Sequence, residues 1–88
     1  MEFQFDGFLA LRKGDVIKVT WAYLPPSDYG PRRVSRITNE TAQAEYRSGT
    51  EGIISDEPSY HLADPITGKV VSSGTNGSVT LFTIEPNT

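Results

Sequence analysis

Eighty-eight residues suffice for one domain with a small core, since a chain of this size buries only about 60–65% of the surface it exposes when unfolded. The absence of cysteine excludes disulfide staples and thiolate metal sites, and no apolar run nears the ~20 residues that cross a bilayer. A net charge of −3 argues against wholesale coating of nucleic acid, but the charge is uneven: six basic residues stand against two acids from Arg12 to Arg36, and Lys69 stands against five acids after residue 48.

The opening residues MEFQFDGF carry early acids and no basic cluster, unlike a secretory signal, which leaves a cytoplasmic protein as the expectation. Phe3 and Phe5 share parity and Asp6-Gly7 signals a turn, so either a short strand precedes a tight turn or the segment is an N-terminal arm packed over the core. Phe3, Phe5 and Phe8 are expected in the core; a phenylalanine left in water would instead mark a docking patch. Gly14-Asp15 marks the next turn. After it Ile17, Val19, Trp21 and Tyr23 alternate with Lys18 and Thr20, the pattern of a half-buried strand with Trp21 facing the core. Pro25-Pro26 ends that strand, because proline donates no ladder hydrogen bond.

Residues 24–31, LPPSDYGP, read as a loop with Tyr29 near its tip. Residues 32–39 read as a second strand. Val34 and Ile37 fall on opposite faces, which a β-bulge between them would reconcile. Over 40–49, Ala42, Ala44 and Tyr46 alternate, and a strand is preferred to the helix that Thr41 and Gly49 would frame. An apolar run starts at Gly52-Ile53-Ile54 and ends at Pro58. Tyr60-His61-Leu62-Ala63 and Lys69-Val70-Val71-Ser72 flank Asp64-Pro65-Ile66-Thr67-Gly68, the strongest hairpin signal in the chain, with Gly68 as the left-handed residue closing a bulged turn. A further turn is expected over 73–77. Residues 79–84, VTLFTI, read as a central or barrel-closing strand, stopped by Glu85-Pro86.

Residues 11–19, LRKGDVIKV, resemble the L-x-x-G-D-x-I-x-V opening of SH3-like small barrels, KOW-type domains among them. With short strands and Gly- and Pro-rich turns throughout, the expected fold class is all-β. Residues 1–88 form a single small barrel of roughly five to seven short strands, SH3-like, with an OB-like barrel or a small sandwich as alternatives.

Catalysis has little to work with: one histidine, no cysteine, no phosphate-binding glycine loop and no G-x-S-x-G. Asp56, Glu57, His61 and Asp64 lie close in sequence and frame the least favoured reading, a His61-centred metal or hydrolytic site. No enzymatic activity and no cofactor is expected. The expected function is non-catalytic binding of a protein or peptide through the 24–33 loop and its flanking face. The residues concerned are Tyr23, Tyr29, Arg32, Arg33, Arg36 and Lys18, the tyrosines offering apolar faces with polar tips. The alternative is RNA or single-stranded DNA, held by the basic residues from Arg12 to Arg36 interleaved with Trp21, Tyr23, Tyr29 and Tyr46. The plain reading of the same arginines is solvated charge paired locally with Asp15, Asp28 and Glu45. No membrane partner is expected, and an open sheet edge would permit a homo-oligomer.

Overall fold

The computed structural model describes residues 1–23 and 30–87. Within them the elements run β1 (Glu2–Asp6), β2 (Val16–Tyr23), β3 (Arg32–Asn39), β4 (Ala44–Arg47), α1 (Glu51–Asp56), β5 (His61–Leu62), β6 (Ile66–Asn76) and β7 (Val79–Pro86). The loop expected around Pro25, Pro26 and Tyr29, and the tail at Thr88, lie outside the described residues. Strand pairing closes a ring, β1–β7–β6–β2–β3 and back to β1. All joints are antiparallel except β1–β3, where Phe3 lies parallel beside Arg32. Outside the ring, β4 adds to β3 and β5 to β2. The protein is thus a small all-β barrel closed by five strands, not a pair of stacked sheets.

Alternating apolar residues fill the ring. Phe3 and Phe5 of β1, Ile17 and Val19 of β2, Val34 and Ile37 of β3, Val70 of β6, and Phe82 and Ile84 of β7 form one buried cluster with Leu9. Phe8 does not join it and is 72% exposed. The Leu9 N–H donates to Thr80 Oγ1 at 3.1 Å, and that hydroxyl donates to the Gly7 carbonyl at 2.7 Å. Those two bonds fix Leu9 inward, and its neighbour Phe8 is left facing solvent.

The bulge that the parity of β3 demands is present. Thr20 faces Arg36 and Trp21 faces Val34, so Ser35 has no opposite residue. Val34, Ser35 and Ile37 are all buried. The Ser35 hydroxyl donates to the Thr20 carbonyl at 3.2 Å, so the extra residue buries no unpaired hydroxyl. Residues 44–47 form a strand, as preferred, whereas Ala42 falls in the turn before it.

Two turn expectations are corrected. The signal at Asp64–Gly68 is not a hairpin. Tyr23 faces His61, Ala22 faces Leu62, and the Ala63 N–H donates to the Trp21 carbonyl at 2.9 Å; Val19 then faces Ile66 and Lys18 faces Thr67. β5 and β6 therefore run on in the same direction along one edge of β2. Asp64-Pro65 kinks that line, because Pro65 has no N–H for the ladder. Gly68 lies inside β6 between Ile17 and Pro86, and it is chosen for closeness rather than for a left-handed turn: an added Cβ would stand 2.5 Å from the Glu85 carbonyl oxygen. The hairpin that does form joins β6 to β7 through two residues, Gly77-Ser78, with Gly77 at φ 66°. Residues 73–76, expected in a turn, are strand. The apolar run at 52–54, which the sequence assigns to no particular element, forms one short helix, α1. Ile54 is its buried anchor against β3.

At the opposite end of β2 from residue 23, Asp15 ties the turn to β3. Its Oδ2 accepts from the Arg12 N–H and from Asn39 Nδ2, both at 3.0 Å, while Asn39 Oδ1 accepts from the Ala42 N–H at 3.0 Å. The Arg12 backbone N–H, then the Asn39 amide, hold the Asp15 carboxyl below its ordinary range. A depressed folded-state value contributes stability that is present above the unfolded value of about 4 and is lost as pH falls through the folded one. Asn39 is fully buried, so Asp15→Ala leaves an amide donor unpaired and should cost about 1–3 kcal/mol at neutral pH. Urea titrations from pH 6 down to pH 2 should show the wild type converging on the variant as the acid is protonated. Parallel curves would remove the carboxylate from this role.

Candidate binding face

Side chains at the far end of β2 come together because opposite residues of an antiparallel pair share a face. Trp21 and Tyr23 lie two apart on β2, their ring centres 6.0 Å apart, and Tyr23 meets His61 of β5 at 5.6 Å. Arg32 places its guanidinium carbon 5.3 Å from the centre of the Trp21 ring. Trp21 also meets the edge of Phe3 at 6.0 Å and is half-buried, packed against the core as its parity suggests. Its indole Nε1 is buried with no hydrogen-bond partner among the described residues. On the opposite side of β2, Arg33, level with Ala22, stands 5.7 Å from the ring centre of Tyr60. Trp21, Tyr23, His61 and Arg32 thus form one group on one side of β2, and Arg33 and Tyr60, level with Ala22 and Leu62, form a second on its other side, both at the same end of the strand.

The remaining members of the expected set lie elsewhere. Lys18 faces Thr38 and Thr67, and Arg36 faces Thr20, so both project from the outer surface of the β2–β3 pair. Arg36 is held by Glu51, with Nη2 at 2.7 Å and Nε at 3.1 Å from Oε1, and Glu45 lies 3.8 Å away. Glu51, more than Glu45, raises the Arg36 pKa. Arg47 joins the same acids at 3.8 and 3.9 Å. Arg12 and Lys13 sit in the turn before β2, with the whole strand between them and Arg32. The basic residues from Arg12 to Arg36 therefore divide into three groups rather than forming one surface. Tyr29 lies outside the described residues. Tyr46 packs on the core from β4.

Tyr60 joins Tyr23, Tyr29 and Tyr46 among the tyrosines whose apolar faces and polar tips suit a peptide groove, whereas His61 is the contribution that sequence reasoning does not attach to this end of the barrel. The neighbours of Tyr60 and His61 depend on β5 pairing with β2, which the misleading turn signal conceals. Among the described residues no three His, Asp or Glu side chains gather as a metal-binding group, and His61 stands against Tyr23 rather than against Asp56, Glu57 or Asp64. A separate cleft of about 410 Å³ opens beside the β6–β7 hairpin, lined by Glu2, Phe3, Pro31, Ser73, Thr75 and Phe82 among others. No protein-family model, curated protein or solved structure matches the chain.

Proposed function

We propose that the protein is a non-catalytic interaction module that binds an acidic peptide segment of another protein at the end of β2, through Tyr23, Arg32 and His61 on one side of the strand and Arg33 and Tyr60 on the other, with Tyr29 of the 24–33 loop included on the sequence reading. The observation that supports this reading is that Arg32 and Arg33 are laid over aromatic rings, whereas Arg36 and Arg47 are engaged by carboxylates. A guanidinium stacked on a ring keeps its N–H edge available for bidentate contact with a carboxylate. Exposed Tyr23, at 36%, and His61 supply apolar surface beside it. The barrel is read here as SH3-like on its 11–19 opening, with OB-like as the alternative, and a cytoplasmic setting is read from the cysteine-free composition.

The second reading is single-stranded nucleic acid, favoured by the run of Trp21, Tyr23 and His61 rings on which bases could stack. Selection of a displayed library of random peptides separates the two. The wild type should enrich peptides rich in Asp and Glu. Tyr23→Ala and Arg33→Ala should each weaken their binding by ~10-fold or more, with unchanged melting temperature. Failure to enrich such peptides, together with capture of oligouridine that weakens steeply with salt, would replace the peptide reading by the nucleic-acid one.

A further inference from the structure

We infer that the free edge of β6 over residues 71–76 pairs antiparallel with the same edge of a second copy of this chain. β2 covers β6 only from Ile66 to Lys69, and the Gly14 N–H and Asp15 carbonyl extend that cover to Val70. Beyond this, no strand among the described residues pairs with β6 on the side away from β7. Native edges of this kind are normally blunted by lysine, proline or a covering element. Here the whole hairpin, 70–84, holds no charged residue and no proline. The other outer edges differ: β4 is four residues long and carries Glu45 and Arg47, and β5 is two residues long.

The hydrogen-bond phase of the ladder makes this edge self-complementary. Met1 and Ile84 exchange both their N–H and C=O groups, and the Gly7 N–H donates to the Ser78 carbonyl. Even-numbered residues of β7 are thereby turned toward β1 and odd-numbered ones toward β6. Thr83, Leu81 and Val79 face Ser72, Gly74 and Asn76, so Ser73 and Thr75 direct their N–H and C=O groups outward. An antiparallel partner related by a two-fold axis at Gly74 places Ser73 opposite Thr75 of the second copy, and Thr75 opposite its Ser73, closing four backbone hydrogen bonds. On the axis the two glycines meet at a non-hydrogen-bonded position, where backbones approach most closely. Among the described residues nothing stands within 4 Å of a Cβ built at Gly74. Each copy carries −3 overall, and this uncharged edge is where two copies meet with least repulsion. Such a contact is isologous and closes at two. It is separate from the aromatic face.

The test uses the full chain and sedimentation velocity over a concentration series to millimolar. The wild type should pass from the 9.7 kDa monomer to twice that mass. Gly74→Lys and Gly74→Glu, each confirmed folded by circular dichroism, should each dimerise at least ~10-fold more weakly, because like charges then face each other on the axis. An equimolar mixture of the two variants should restore the dimer through the opposite-charge pair. A wild type that stays monomeric throughout overturns the inference and leaves the edge to a foreign strand. A dimer indifferent to both variants, or a mixture that stays monomeric, also overturns it.

Discussion

Phe3→Ala is expected to lower the stability of the fold by about 3–5 kcal/mol, the cost of emptying a fully buried aromatic site. Phe3 is 0% exposed. Its ring stacks on Phe82 at 5.4 Å and 23° and takes Trp21 edge-on at 6.0 Å and 69°. It also sits on the strand that closes the ring, so the backbone on either side cannot collapse into the void without opening β1–β7 or β1–β3. A small domain has about 5–15 kcal/mol in total, so much of its margin disappears, and the melting temperature should fall by roughly 15–30 °C. Urea and thermal unfolding followed by circular dichroism measure both. Phe3→Leu, which keeps most of the volume, should lose far less. A fall of under about 1 kcal/mol for Phe3→Ala would mean that the barrel is not centred on this ring.

Gly68→Ala should cost about 3 kcal/mol, at the upper end of what overpacking produces. The obstacle is backbone: the added Cβ would meet the Glu85 oxygen at 2.5 Å and the Glu85 carbonyl carbon and Pro86 Cα at 3.0 Å. No rotamer relieves that contact. β6 and β7 would have to separate where Gly68 pairs with Pro86. Gly52→Ala provides the opposite sign in the same assay. It lies in α1 with nothing within 4 Å, so alanine should stabilise by about 0.5–1 kcal/mol through helix propensity. If both variants behave alike, Gly68 does not hold the close approach assigned to it.

The contrast between those glycines also shows where sequence patterns succeed and fail here. β2 and β3 are legible because apolar alternation within each strand reports its own buried face. Even the Ser35 bulge follows from the parity clash of Val34 and Ile37. Parity likewise separates Lys18 from Tyr23. The bulge, by shifting phase, sends Arg36 to the outer surface while Arg32, of the same parity in sequence, reaches Trp21. By contrast, Asp64-Pro65 and Gly68 carry the same turn chemistry whether the chain reverses or merely kinks. Only the distant partner β2 decides between the two. The partners of Tyr60 and His61 stay invisible to local patterns for that reason, and so does α1, held by Ile54 and the Glu51–Arg36 pair rather than by a helical repeat.

The joint between β1 and β7 also governs the order in which the protein can form. β1 finds its nearest partner in β3 and its other partner in β7, with Glu2 opposite Thr83. At a synthesis rate of about 5–20 residues per second, several seconds separate the emergence of these two strands from the ribosome. For that interval Phe3 and Phe5 have no complete core to enter. Closing so long a loop is entropically costly and slows folding. This domain is therefore most exposed to aggregation and to chaperones through β1 until β7 emerges to cover it.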